Sequence, residues 1–476
     1  MLQNKSFLHS FLTKLFAIFG GAFFTLAFIF SYQNVSRNYE SKAWFLLNIF
    51  ILALIVAIIF IIITRYFSTR VFLILFILSG VGARLWWILH IPTAPHSDFY
   101  VMHEAAKQAA EGNYSFTTTG YFIRWPYQIG FTLYEALLIK IFGANLIVLK
   151  LFNIIFGMGI SILIYLISKK VFNETTGRIA ALLYTFYIPN IIYSSVLTNQ
   201  YISTFLFLLG LYFLLARELS GKYSWILVGL LIGLGNVMRP AGVLFILGIG
   251  VFVLLYKIYP FRKKESLSFV KKLIGIVVTY ILVQQFVSMS IIYSGVSELG
   301  LSSQDPYWKF VVGLNDETVG RYSKVDDQFV SQFPLGEERK SAELELIKER
   351  MDDKSNLVSL LYKKFKLFWG GTDASIYWSL EGLEQPKLNY YLTKLEQLSY
   401  LVMMFFGVGT LFLLNRKNTL ASLFVILLGG YVVIHSIVEI QTRYRFDILP
   451  IIFILVGFGI HSTVQPFTKK ILKNTF

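Results

Sequence analysis

The chain has 476 residues, of which 56% are hydrophobic, 17% aromatic and 15% charged, with a formal net charge of +16 and no cysteine. Soluble domains carry about a quarter charged residues, so this composition excludes an ordinary globular enzyme. The lack of cysteine excludes disulfides, thiol nucleophiles and thiolate metal sites.

Apolar runs of roughly 18 to 23 residues recur along nearly the whole chain, each matching the hydrocarbon thickness as a helix. The runs are continuous rather than alternating, which predicts helices and not a barrel. The expected fold is an all-α polytopic membrane protein of about twelve transmembrane helices. Spans are expected near 11–31, 44–64, 70–90, 146–168, 177–196, 199–216, 224–238, 241–257, 273–294, 397–415, 419–436 and 448–466. The first run, Leu12 to Phe30, lacks a small-residue cleavage site and is read as a retained helix, not a cleaved signal peptide.

The basic residues cluster in short loops between these runs, which signals orientation and not nucleic-acid binding. They are Arg65 and Arg70; Lys169, Lys170 and Arg178; Arg217 and Lys222; Lys257, Arg262, Lys263 and Lys264; Arg416 and Lys417; and Lys469, Lys470 and Lys473. Placing these on the inner side puts both termini in the cytoplasm. The chain then divides into N-terminal helices (1–90), a first extracytoplasmic loop (91–145), a transmembrane core (146–294), a second extracytoplasmic region (295–396) and C-terminal helices (397–476). The second region holds a polar helical stretch, Glu337 to Lys354. Beyond it Leu357, Leu360, Leu361, Phe365 and Phe368 alternate with Lys363, Lys364 and Lys366, an amphipathic helix expected on the membrane surface.

Ionisable groups near lipid are costly and usually have a use. In Pro95-His96-Ser97-Asp98-Phe99-Tyr100, Asp98 sits a few residues beyond the third span. There it either faces a reaction at the interface or, with Ser97, caps a helix N-terminus. His96 and His103 could join Asp98 or Glu104 as metal ligands, but the spacing matches no standard site, so solvated histidines are the preferred reading. Glu104 falls on another face of the same helix, with a solvated role as the default. Arg84, Arg124, Arg239, Arg443 and Arg445 lie at the outer ends of spans, where positive-inside bias disfavours them. Several arginines at one depth fit a phosphate, and the alternative for each is snorkelling or pairing with Glu439 and Asp447.

These residues resemble the polytopic glycosyltransferases of the GT-C class, in particular the protein mannosyltransferase and aminoarabinose transferase branch. Four patterns carry the resemblance: Arg84…Asp98-Phe99-Tyr100…Ala106…Gly112; Arg124-Trp125-Pro126-Tyr127…Ile141-Phe142-Gly143 with Leu151 and Asn153; Gly233…Met238-Arg239-Pro240-Ala241-Gly242; and Arg443-Tyr444-Arg445-Phe446…Leu449-Pro450. The segment Trp308…Gly313-Leu314-Asn315…Gly320-Arg321-Tyr322…Asp326-Asp327 is also similar to the family, so Asn315 joins Tyr100, Glu104 and Arg124 as further substrate-binding candidates.

The resemblance implies a GT-C-like fold, a donor sugar on a polyprenyl phosphate, catalysis on the extracytoplasmic face of the cell membrane, and an Asp at the reaction centre, here Asp98. Arg239, Arg443, Arg445 and Arg84 would then bind the lipid phosphate. Many relatives place an acid where this chain has Asn199 and Gln200, and amides replace carboxylates poorly around hard cations. A divalent metal shared with Asp98 is therefore doubtful as a cofactor, and no metal ligands are assigned. The implied partners are the donor lipid, the membrane and an envelope lipid, polymer or protein as acceptor, with no nucleic acid. Richness in Phe, Ile, Leu and Lys points to an AT-rich bacterium. A transporter or flippase, or a polymerase, of lipid-linked glycans is the alternative reading. Transporters tend to place polar groups at the midplane, where Gln284 and Gln285 are the main exceptions here.

Overall fold

The computed structural model describes residues 2–474 apart from 40, 218, 220, 222, 260–262 and 417. Of the loop cations named above, Lys222, Arg262 and Lys417 lie outside the described residues. Among the described residues every regular element is helical. The first three helices are α1 (Leu2–Ser36), α2 (Lys42–Tyr66) and α3 (Thr69–His90). Residues 91–145 then form α4 (Asp98–Ala110), α5 (Gly120–Arg124) and α6 (Ile129–Phe142). The central helices are α7 (Leu146–Val171), α8 (Glu174–Phe186), α9 (Ile188–Ile192), α10 (Gln200–Arg217), α11 (Ser224–Met238), α12 (Gly242–Val253) and α13 (Lys263–Tyr293). A second intervening segment supplies α14 (Trp308–Gly313), α15 (Lys324–Val330), α16 (Glu337–Asp352), α17 (Lys354–Gly370) and α18 (Ser375–Leu380). The last helices are α19 (Pro386–Gly407), α20 (Ala421–Ile437) and α21 (Leu449–Asn474).

Among the described residues seven helices are long and apolar enough to cross a membrane: Phe7–Ser36, Lys42–Ile59, Thr69–His90, Leu146–Val171, Ser266–Tyr293, Pro386–Asn415 and Leu449–Pro466. Four shorter apolar helices, Gln200–Ala216, Ser224–Met238, Gly242–Ile258 and Ala421–Ile437, lie where further spans were expected. The protein is a multi-pass membrane protein, but the expectation of twelve continuous spans needs correction at 177–196. There Tyr187 leaves helical geometry (φ −64°, ψ 122°) and Pro189 opens the short α9. Proline suits a helix start, where its missing N–H would be unpaired anyway.

The two ends of the burial scale explain the packing. Ile451 through Val456 of α21 are wholly buried, so α21 runs through the centre of the bundle. The apolar windows of α2 and α13 are only 6% buried and face lipid. Small residues permit the close helix crossings that dispersion forces need in a bilayer. A Cβ on Gly229 of α11 would lie 2.6 Å from the carbonyl oxygen of Ile276 in α13, so no larger residue fits that crossing.

The second intervening segment is anchored to the bundle through one face of α17. In α17, Leu360, Phe368 and Trp369 are buried, and Trp369 meets Phe23 of α1 edge-on at 4.8 Å. Lys364, expected on the polar face, is buried instead. Its Nζ donates to the carbonyl oxygens of Gly313, Ser436 and Val438 at 2.7, 2.8 and 2.9 Å. One ammonium thus ties α14 and α17 to the end of α20 and satisfies carbonyls that a helix terminus leaves free.

Candidate active site

The turn Thr442–Asp447 leads into α21 and is held from beneath by the residues that follow α9. Gln200 Nε2 donates to the Arg443 carbonyl and to Asp447 Oδ1, each at 3.1 Å, while Gln200 Oε1 accepts from the Tyr193 hydroxyl at 2.7 Å. Arg239 follows α11 with extended backbone (φ −154°, ψ 128°). Its Nε donates to Asp447 Oδ2 at 2.9 Å and its NH1 to Asn199 Oδ1 at 3.3 Å. The two amides that stand where an acid was expected therefore serve to fix Arg239 and the turn.

Asp98 reaches this turn from the other side. It is the first residue of α4, and Ser97 before it has φ +52°, an uncommon conformation for a residue with a side chain. Strain of this kind costs of order 1–3 kcal/mol and gathers at functional sites. Ser97 makes no side-chain cap bond, and among the described residues Asp98 accepts no hydrogen bond from the helix, so the capping alternative is not realised. The Asp98 side chain is 45% exposed and stands 3.8 Å from Arg443 NH2.

Arg443 is held in a fixed pose. Its guanidinium lies 4.2 Å from the Trp378 ring centroid and 5.1 Å from that of Phe99. Its Nε donates to Gln441 Oε1 at 2.6 Å, and Gln441 Nε2 donates to Glu439 Oε1 at 2.8 Å. Glu439 in turn pairs with Lys309 of α14. Burial would lower the pKa of Arg443, yet with Tyr444, Tyr193 and Asp98 as neighbours it is raised. Burial raises the Tyr121 phenol, and the charge of Asp98 raises it further. The arrangement is a half-open carboxylate beside a pre-oriented cation, which can take a proton and hold an anion side by side.

Other expected site residues lie elsewhere. Arg445 is wholly buried, 3.2 Å from Asp373 and 3.9 Å from Glu396, and donates to the Gly371 and Thr442 carbonyls. Arg84 is also wholly buried, with NH1 on the Gly80 carbonyl at 3.0 Å. Neither guanidinium is open to a ligand, so both phosphate assignments are withdrawn. Arg124 pairs with Asp305, and with Asp327 at 2.7 Å, and stacks 4.4 Å from the Trp308 centroid. Asn315 donates to Asp326 at 2.8 Å and accepts from the Thr318 amide. Both brace the second segment. Glu104 pairs with Lys107 at 2.7 Å, and Tyr100 is exposed.

His96 stacks on Trp378 at 4.6 Å, and His103 bonds Glu135 of α6 at 2.5 Å, both members of that pair being buried. Among the described residues no three His, Asp or Glu side chains are grouped to hold a metal. Asp98 has a guanidinium for its neighbour, and Asn199 Oδ1 is already occupied by Arg239. This donor set does not fit a divalent cation, and no step is derived through one.

Lys309, Glu439, Gln441 and Trp378 complete the site but went unassigned in the sequence. Their signal was weak: a lysine beside a tryptophan, and a glutamate named only as a possible arginine partner.

Residues 129–286 match the family model of dolichyl-phosphate-mannose-protein mannosyltransferase. The fold is similar to the archaeal oligosaccharyltransferase AglB from Archaeoglobus fulgidus, solved with an inhibitory peptide and a dolichol-phosphate. That likeness has a TM-score of 0.50 at 13% identity and covers 87% of this chain. The chain has the GT-C fold. It spans about half the length of the archaeal enzyme, 52% of that chain. No curated protein sequence matches it. The matched stretch of the GT-C fold runs from α6 to α13 and so includes Asn199, Gln200 and Arg239, while Asp98 and Arg443 lie outside it.

Proposed function

We propose that this protein is a membrane glycosyltransferase that moves a sugar from a polyprenyl-phosphate donor to an envelope acceptor on the extracytoplasmic face. The observation that carries the reading is the half-exposed Asp98 carboxylate 3.8 Å from the fixed Arg443 guanidinium. Asp98 takes the proton of the acceptor nucleophile as it attacks the anomeric carbon. The bond from that carbon to the phosphate oxygen breaks, and its electron pair stays on the phosphate. Arg443 and Arg239 stabilise the charge that develops there. Displacement from the face opposite the phosphate inverts the anomeric centre.

The dolichol-phosphate bound to the archaeal relative supports a lipid-phosphate donor, and its peptide supports a protein as one class of acceptor. The basic loops support an orientation with the Asp98 end outside. The test is purified protein in lipid with a panel of radiolabelled polyprenyl-phosphate monosaccharides and delipidated envelope acceptors. Label on an acceptor with release of polyprenyl phosphate, lost in Asp98→Asn, is the expected result. Donor binding without turnover across the panel favours the transporter or polymerase reading.

A further inference from the structure

Lys309 has no part in the mechanism above, yet its surroundings are those of a ligand-binding cation. Two cations lie near the ring of Tyr444 and a third reaches it through Glu439. Arg239 and Arg443 lie 5.2 and 5.5 Å from its centroid. Lys309 approaches the hydroxyl side, because Glu439 Oε2 accepts from both Lys309 Nζ and the Tyr444 hydroxyl. Lys309 is also fixed through its backbone, since its carbonyl oxygen accepts from the Glu439 amide at 2.7 Å. Its side chain remains 42% exposed, whereas Glu439 is 4% exposed. The pair therefore turns its cation, not its carboxylate, toward solvent.

Each of the three cations already faces one acid: Arg239 faces Asp447, Lys309 faces Glu439 and Arg443 faces Asp98. Asp98 is the loosest of these partners and the most exposed. Once it accepts a proton, the cations exceed their acids by one.

We propose that Lys309, carried in on α14, is a third phosphate-binding residue that makes this site select the doubly charged phosphate monoester over the singly charged diester. The proposal rests on the transferase reading. In that reading the sugar donor is a diester with one negative charge. Breaking the sugar–oxygen bond leaves a monoester of about −1.5 to −2 charge at neutral pH. A cation that binds the second charge stabilises the departing lipid phosphate more than the bound donor, which is the differential binding that lowers a barrier. A free phosphate has the same chemistry, so the test must separate the two sources.

The experiment measures binding of farnesyl phosphate and its methyl diester to the detergent-purified full chain by calorimetry. The wild type is expected to prefer the monoester by about tenfold, the weight of one charge-assisted hydrogen bond. Lys309→Met should abolish that preference with little change for the diester, and Lys309→Arg should restore most of it. Lys363→Met, which removes an exposed lysine paired with Asp316, should leave the preference unchanged. Equal wild-type affinity for the two esters overturns the proposal whether or not the variants fold. So does a loss in Lys309→Met no larger than in Lys363→Met. Inorganic phosphate that displaces farnesyl phosphate at equal concentration overturns the lipid assignment in favour of a free-anion site. Binding of neither ester by the wild type sinks the transferase reading itself.

Discussion

Asp98 and Arg443 come from opposite ends of the chain and meet 3.8 Å apart, the carboxylate half exposed and the guanidinium buried. Arg443 is held by Gln441 and the Trp378 ring, whereas Asp98 is the less restrained partner. Asp98→Asn keeps the shape and removes the base. Transfer should fall by about 10² to 10⁴, the usual weight of general-base catalysis. Expression and helical content should be unchanged, since Asp98 caps no backbone group. Full transfer by a well-folded Asp98→Asn protein would remove Asp98 from the mechanism.

Arg443 and Arg445 are two residues apart and should behave differently when truncated. Arg443→Ala is expected to weaken polyprenyl-phosphate binding by about tenfold or more, the loss of one charged hydrogen bond, with a small change in thermal stability. Arg445→Ala strands Asp373 and Glu396 without their cation in a buried setting. Breaking a buried pair costs about 3–5 kcal/mol, so this variant should lose stability first, visible as a lowered melting temperature. Similar melting temperatures for the two variants would contradict the division of roles.

The membrane fold was legible because each span reports itself through a local, continuous property. Pro189 shows where that signal is incomplete, since an apolar run across 177–196 does not reveal that the helix breaks inside it. Asp98 was legible as a carboxylate just past a span. Its partners were not, because an arginine at a span end reads alike whether it faces a ligand or a buried acid. Arg445 and Arg443 share one tripeptide, and only the packing of 371–373 and Glu396 against one of them separates their roles. The burial of Lys364 is hidden from the sequence for a related reason. A lysine in an amphipathic pattern looks solvated until the three carbonyls that enclose it come together from α14 and α20.

The His103–Glu135 pair joins α4, which bears Asp98, to α6. Burial raises the Glu135 pKa against the opposing pull of His103, so the carboxylate depends on its partner. Either single change, His103→Phe or Glu135→Leu, leaves one buried polar group unpaired. The double variant replaces both with apolar groups and should be more stable than the sum of the singles implies. A thermal-unfolding cycle measures this coupling. Simple additivity would show that the pair does not hold α4 in place.

Glu343 gives the second intervening segment a dependence on pH whose sign follows from its surroundings. It is wholly buried, and burial together with Asp305 pushes its carboxyl up to about 9, against the pull of Arg124 and Arg339. An exposed carboxyl in the unfolded chain titrates near 4.5. Between these values the folded segment holds a proton that the unfolded chain does not, so stability must fall as pH rises. The contribution is complete below the unfolded value and is lost as pH passes through about 9. Glu343→Gln mimics the protonated acid and should flatten the profile. Trp308 packs in the same segment, beside Arg124, and its fluorescence can follow the transition. A wild-type melting temperature that rises between pH 7 and 10, or a Glu343→Gln profile as steep as the wild type, would show that this proton is not held in the folded segment.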